Sequence, residues 1–167
     1  EKISGWVLDL KKSVVVSALT NAAAEEIARS AITPVTAAMV RSANEKVRTT
    51  FNSLFTGSGI AVEDITRAPA LAFNLESLNQ FGNDAPGQYA QMLSSLAKSA
   101  RQFNPTLPNP AREMTKQLAR DLSDGVIDAK DNTGAPVAPT TQRAYDFVQL
   151  PQVVVRQTAG RLEAQQV

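Results

Sequence analysis

The feature that most restricts how this sequence can fold is a run of apolar residues spaced three or four positions apart between two helix-breaking segments. Thr33-Pro34 precedes the run and Gly57-Ser58-Gly59 follows it. The apolar residues of the run are Val35, Met39, Ala43, Val47, Phe51 and Leu54. This spacing predicts an amphipathic helix with one buried face. Thr33 is suited to cap it and Pro34 to occupy its first position, where a missing N–H costs no hydrogen bond.

Four further helices are expected where a capping residue precedes apolar residues at helical spacing. Their caps are Ser17 or Thr20, Asp84, Asn109, and Thr140 or Thr141. In the same order, their apolar positions are Leu19, Ala23 and Ile27; Tyr89, Leu93, Leu96, Ala100 and Phe103; Met114, Leu118 and Leu122; and Ala144, Tyr145 and Val148. A short helix through Leu71, Leu75 and Leu78 would make six, and Pro151 is expected to kink or end the last long one. The sequence therefore predicts an all-α fold over residues 17–167, a compact bundle of five or six helices.

The N-terminal segment has a different character. Residues 3–16 are rich in β-branched and aromatic residues, which favour an extended backbone. We expect residues 1–16 to form an extended arm or the end of an upstream β module. The residues expected to contact neighbouring domains or chains are Trp6, Val7, Leu8, Val14, Val15 and Val16.

Composition excludes several kinds of function. The 167 residues contain neither Cys nor His, which removes disulfides, zinc sites with thiolate or imidazole ligands, and Ser-His or Cys-His catalysis. The formal net charge of +1 provides no strong field for nucleic acid, so no nucleic-acid partner is expected. The apolar runs are also far shorter than the roughly 18 residues that a transmembrane helix needs.

Four carboxylates in eleven residues form the most distinctive chemical cluster. Asp121, Asp124, Asp128 and Asp131 could together supply oxygen ligands to Ca²⁺, the one cofactor considered for this chain. The cluster is not an EF-hand, because that alignment places Arg120 and an apolar residue where the loop needs oxygen ligands. The alternative interpretation is a helix end followed by an Asp-Gly turn in which the carboxylates accept backbone hydrogen bonds.

Five segments, taken in order, resemble a helical domain of large exported bacterial surface proteins and lipoproteins. They are Val16–Ala23, Ala43–Val47, Ile65–Pro69, Tyr89–Leu96 and Asp121–Ala129. In those proteins the domain commonly follows an immunoglobulin-like or carboxypeptidase-regulatory-like β module. The chain departs from the pattern at Ala18, where proline is usual, and at Ala129, where the acidic turn usually has glycine. The resemblance implies export to the cell surface or beyond, a structural or adhesive setting, and no catalysis.

These observations lead to a main functional hypothesis and two alternatives. The main one is a non-enzymatic structural, assembly or adhesion module of an exported bacterial surface protein. The first alternative is a helical domain that binds a small ligand or a carbohydrate in a pocket near Trp6 or Tyr145. The second is an enzyme that works through Asp124, Asp128 and a divalent metal.

Overall fold

The described part of the chain forms four α-helices. The computed structural model describes residues 15–30, 32–70, 84–139, 145–152 and 156. The helices are α1 (Ala18–Ser30), α2 (Ala37–Ser53), α3 (Ala85–Phe103) and α4 (Pro110–Asp121). A 3₁₀ helix, Phe147–Gln149, and helical residues 150–152 follow. The described residues contain no β-strand, so the predicted all-α fold is confirmed.

The core lies where the apolar faces of these helices meet. α1 packs against both α2 and α4, and α4 also packs against α3. The largest fully buried apolar side chains are Leu19, Val47, Phe51, Phe55, Val62, Ile65, Met92, Leu118, Leu122 and Val137. None of the helices in the described ranges is long and apolar enough to cross a membrane.

Ser17 joins the start of α1 to Tyr89 of α3, and Tyr89 in turn binds the loop after α2. The Ser17 hydroxyl accepts a hydrogen bond from the Thr20 N–H at 3.2 Å, and the Thr20 hydroxyl accepts one from the Ser17 N–H at 2.8 Å. This reciprocal cap satisfies two N–H groups at the helix start. The Ser17 hydroxyl also contacts the buried Tyr89 hydroxyl, which donates to the Ile65 carbonyl at 3.2 Å. Burial raises the pKa of Tyr89 to about 12.

The predicted start of α2 was wrong by three residues. The N-cap is Thr36, whose hydroxyl accepts a hydrogen bond from the Met39 N–H at 3.3 Å, and the Thr33-Pro34 peptide bond is cis. Thr33 and Thr36 are equally suited to capping by residue type. The apolar stripe does not distinguish them, because Val35 is half-buried outside the helix.

The predicted C-terminal helix also needed correction. Tyr145 is buried but precedes the 3₁₀ helix, and its backbone N–H donates to Gln117 Oε1 at 3.0 Å rather than to a helical carbonyl. Residues 150–152 are helical, so the chain does not leave the helical conformation before Pro151. The expected caps Thr140 and Thr141, together with Ala144, lie outside the described residues.

Most of the proposed arm also lies outside the described residues, as do Trp6, Val7, Leu8, Val14 and the short helix through Leu71, Leu75 and Leu78. Val15 is half-buried and Val16 is 54% exposed, and neither has regular secondary structure. The boundary between an arm over 1–16 and a helical domain over 17–167 therefore stays a prediction.

Replacing Ser17→Ala should lower the free energy of unfolding by about 1–2 kcal/mol, because it removes both the helix cap and a partner of the buried Tyr89 hydroxyl. Urea denaturation at neutral pH measures this change. The matched control is Ser53→Ala, since the exposed Ser53 hydroxyl donates only to the Thr50 carbonyl in its own helix. Its effect should stay within about 0.5 kcal/mol. Equal effects of the two substitutions would argue against the role given to Ser17.

Candidate functional site

The acidic cluster is organised around Asp121, the last residue of α4. Its side chain is fully buried. Asp121 Oδ1 accepts hydrogen bonds from the Asp128 N–H at 3.0 Å and the Ala129 N–H at 2.9 Å. Asp121 Oδ2 is buried without a hydrogen-bond partner in the described part of the chain. Burial raises the pKa of Asp121 to about 6; the two N–H donors oppose this rise, and the nearby Asp128 and Asp124 carboxylates add to it.

The two hydrogen bonds to Asp121 hold an unusual backbone turn. Ala129 has φ of 64°, in the left-handed region that disfavours residues with a Cβ atom. Because the Ala129 N–H donates to a buried carboxylate, the tertiary contact holds the turn that glycine would allow by its own flexibility.

Asp131 is bound within the same loop and to α4. Its Oδ1 accepts from the Thr133 hydroxyl at 2.6 Å, the Thr133 N–H at 3.0 Å and the Ala135 N–H at 3.1 Å. Its Oδ2 accepts from Arg120 Nη2 at 2.9 Å. The Thr133 hydroxyl and the Arg120 guanidinium hold the pKa of Asp131 well below its usual range. Arg120 also donates to the Val137 carbonyl at 3.0 Å, so it binds both ends of the segment 131–137.

Asp124 and Asp128 are exposed and each closes a short turn. Asp124 Oδ1 accepts from the Val126 N–H at 2.9 Å, and Asp128 Oδ1 accepts from the Lys130 N–H at 3.0 Å. These are the local hydrogen bonds that Asp makes in turns. Within the described ranges, no group of three or more acidic side chains is arranged to hold a metal ion. The four carboxylates thus bind backbone N–H groups of their own loop, and the calcium site stays a prediction.

Two cations attach this end of α4 to the first two helices. Lys46 Nζ, from α2, donates to Glu26 Oε1 of α1 and to the Ser123 carbonyl, both at 3.0 Å. Arg29, near the end of α1, donates to the Ala119 carbonyl at 2.9 Å. Burial lowers the pKa of Arg29. Lys46 therefore ties the first residues after α4 to α2 and α1, and Arg29 ties α4 itself to α1.

A separate cavity of about 290 Å³ lies between α3, α4 and the C-terminal segment. Its lining residues are Leu96, Ser99, Gln102, Phe103, Met114, Tyr145, Asp146, Phe147, Gln149 and Leu150. The ring of Tyr145 lies 4.7 Å from that of Phe103 and 5.9 Å from that of Phe147, measured between centroids. The Tyr145 hydroxyl is fixed by donation to the Ala100 carbonyl at 2.9 Å. These contacts form an aromatic wall along one side of the cavity.

The sequence identified part of this cavity. It singled out Tyr145 as a residue near a ligand pocket, and Tyr145 does line the cavity, whereas Trp6 lies outside the described residues. It did not identify Ser99, although Leu96, Ser99 and Phe103 share one face of α3 by their spacing. That signal was available, but the residues that complete the cavity come from α4 and from beyond Tyr145, which the sequence does not bring together.

No protein-family model, no curated protein and no solved structure matches the chain. The resemblance to a helical domain of exported bacterial proteins therefore rests on the five sequence segments alone.

Asp121 is expected to make the free energy of unfolding fall as the pH rises from about 4 to about 6. Its pKa in the folded protein lies above the ordinary value of 3.8, so across this interval the folded state retains a proton that the unfolded state has lost. The difference between the two pKa values of Asp121 corresponds to at most about 3 kcal/mol in the free energy of unfolding. The depressed pKa of Asp131 acts in the opposite direction and below this interval, since its stabilising effect is lost as the pH falls below about 4.

Urea denaturation of Asp121→Asn between pH 4 and pH 7 tests this assignment. In the variant, the part of the pH dependence of the free energy of unfolding that comes from Asp121 should be lost. The difference between the wild-type and variant profiles measures that part. Asp84→Asn, which keeps an acceptor at the distant N-cap of α3, should retain the wild-type slope. Parallel wild-type and Asp121→Asn profiles would show that this carboxyl does not control stability in the interval.

The calcium hypothesis predicts that millimolar CaCl₂ raises the Tm of the wild-type chain more than MgCl₂ does. Calcium that binds only the folded state, at a free concentration a hundred times its Kd, would add about 2.7 kcal/mol to the free energy of unfolding. Asp131→Asn should abolish the rise, and Asp64→Asn, in the loop after α2, should leave it intact. Differential scanning calorimetry measures the shift. No calcium-specific rise in the wild type would rule the site out.

Proposed function

We propose that the chain is a non-enzymatic structural, assembly or adhesion module of an exported bacterial surface protein. Its site of action would be extracellular or at the cell surface, and its arm, residues 1–16, would contact neighbouring domains or chains. The five segments that resemble exported helical domains support this setting. The observation that carries the proposal is the set of charged side chains that fix residues 122–139 to the helices.

This segment is an irregular connection of a kind that is usually mobile. Here Arg120 and Asp121 bind it from α4, and Lys46 binds its first residues from α2. A loop held at several points presents a fixed surface and loses little conformational entropy when a partner binds. Such preorganisation suits a spacer or an assembly interface.

The junction between the arm and α1 also supports contacts with a neighbour. Val16 exposes 54% of its surface directly before the Ser17 cap, so an apolar side chain faces solvent where the arm enters the helical domain. Ser17 anchors that junction to Tyr89. The position of the residue that precedes α1 is thereby fixed.

A photo-crosslinking amino acid at position 16 tests this proposal. The experiment uses intact cells that produce the surface protein of which the chain is proposed to be a module. Replacement of Val16 should yield crosslinked adducts. Mass spectrometry should assign their peptides to a flanking domain of that protein or to a second copy of it. The control is the same replacement of Ile32, which is 58% exposed beyond the other end of α1. Equal adduct yields at both positions, or failure of surface-directed antibodies to label the cells, would contradict the proposal.

A second candidate function is the binding of a small ligand or a carbohydrate, and the cavity beside Tyr145 is the observation that favours it. About 290 Å³ lies at the lower end of the range for ligand pockets, roughly 300–1,000 Å³. The described lining residues come from α3, α4 and residues 145–150, and none of them belongs to α1. A ligand site and an assembly role can therefore coexist in the same chain.

A further inference from the structure

We propose that the groove between α2 and the loop after it binds a small zwitterion, a molecule such as a dipeptide that carries both a carboxylate and an ammonium group. The groove is separate from the cavity beside Tyr145 and has a volume of about 360 Å³. Four of its described lining residues belong to α2, between Arg41 and Arg48, and four belong to the loop, residues 63–66. A ligand site here is independent of the proposed assembly role, which uses the arm and the segment after α4.

The loop wall of the groove is fixed to α2 and α3. Asn52, in the last turn of α2, accepts a hydrogen bond from the Val62 N–H at 2.9 Å and donates one to the Val62 carbonyl at 2.8 Å. Ile65 is almost fully buried, and its carbonyl accepts a hydrogen bond from the Tyr89 hydroxyl at 3.2 Å. Because these contacts already hold the loop, a ligand does not have to order it on binding.

The α2 wall offers hydrogen-bond donors for a carboxylate. Arg41 is exposed, and Asn44, three residues later on the same side of the helix, is half-buried. Neither side chain makes a hydrogen bond or an ion pair with the described residues. A guanidinium can donate two parallel hydrogen bonds to one carboxylate, and a neighbouring amide N–H can donate a third.

The other charged pair on the α2 wall is already satisfied. Arg48 Nε donates to Glu45 Oε2 at 3.0 Å, and Arg48 Nη2 donates to Glu45 Oε1. These hydrogen bonds hold the pKa of Glu45 below its usual range. Because each charge of this pair compensates the other, Arg41 is the cation of the described α2 wall that remains for a ligand.

The loop wall offers carboxylates for an ammonium group. Asp64 Oδ1 accepts hydrogen bonds from the Thr66 N–H at 2.8 Å and the Thr66 hydroxyl at 2.6 Å, which fix the side chain. Its Oδ2 accepts no hydrogen bond from the described residues. The neighbouring Glu63 Oε2 lies 3.9 Å from Arg67 Nη1, which is beyond hydrogen-bond distance. An ammonium group has three N–H donors and can bind oxygens of both carboxylates.

A zwitterion suits both walls, whereas an ion of one sign suits only one of them. An anion bound at Arg41 would be repelled by the carboxylates of Glu63 and Asp64 across the groove, and a cation bound at those carboxylates would be repelled by Arg41. The volume of the groove falls within the range of ligand pockets, roughly 300–1,000 Å³, so it has room for both ends of such a molecule.

Titration of the full chain with glycylglycine, N-acetylglycylglycine and glycylglycinamide, followed by ¹⁵N NMR, tests the proposal. Glycylglycine should shift the signals of the Asn44 side-chain amide and the Thr66 backbone amide, while the backbone amides of Leu118 and Val137, outside the groove, stay unchanged. The acetylated peptide lacks the ammonium group and the amidated peptide lacks the carboxylate, so each should bind at least about threefold more weakly. If glycylglycine shifts neither groove signal, or if either blocked peptide binds as tightly, the inference is wrong.

Two substitutions assign the two ends of the ligand. Arg41→Gln should weaken glycylglycine binding at least about threefold, without weakening the binding of glycylglycinamide, which has no carboxylate. Asp64→Asn keeps the oxygen that Thr66 binds and removes the charge, so it should weaken glycylglycine binding but not that of the acetylated peptide.

The matched control is Arg101→Gln, which changes an exposed arginine in the last turn of α3 that does not line the groove. It should leave the binding of all three peptides unchanged. Equal losses of glycylglycine binding in Arg41→Gln and Arg101→Gln would reflect the net charge of the chain and would overturn the site.

Discussion

The helices pack around α1, whose buried surface consists largely of small side chains. Ala22, Ala23 and Ala24 are almost fully buried, with Leu19 and Ile27 on either side of them in the sequence. α2 and α4 both contact this helix, and α3 joins the bundle through α4. Because the distance between packed helices depends on the side chains at their contact, alanine lets two neighbours approach α1 closely. That approach also brings the charged residues at the end of α1 within reach of α4.

The connection after α4 depends on this arrangement. Lys46, Arg29 and Arg120 reach backbone carbonyls of α4 or of the following loop because α1, α2 and α4 are already packed together. The buried carboxylate of Asp121 opposes folding through its desolvation, which its raised pKa expresses. The two backbone N–H groups that it binds offset part of that cost and fix the left-handed residue Ala129. Within the acidic cluster, Asp121 thus holds the loop after α4 against the end of that helix.

The polar and the apolar features of the domain occupy different places. Charged residues gather where the end of α4 meets α1 and α2, and their hydrogen bonds are made mainly with the backbone. The aromatic cavity lies on the α3 side of α4, and most of its lining is apolar. The domain therefore holds a charged, anchored loop at one place and a partly open, mostly apolar cavity at another.

The helices could be predicted largely from residue type and spacing, because both act over short distances along the chain. Ser17 and Asp84 cap the helices that they were expected to cap, and Met114, Leu118 and Leu122 are buried as their spacing indicates. Thr36 shows the limit of such signals, because Thr33 is equally suited by residue type to cap a helix.

The sequence by itself determined the helical class, the caps Ser17 and Asp84, and the presence of four nearby carboxylates. The tertiary structure alone decided what Asp121 binds, since its carboxylate meets the Asp128 and Ala129 N–H groups only when the loop folds back on α4. It alone brought Ser99 and Tyr145 to one cavity, because residues 46 positions apart in the chain become neighbours only through helix packing. The local spacing of residues determines where a helix forms and which of its faces is buried. Which other helix or loop packs against that face depends on contacts between distant parts of the chain.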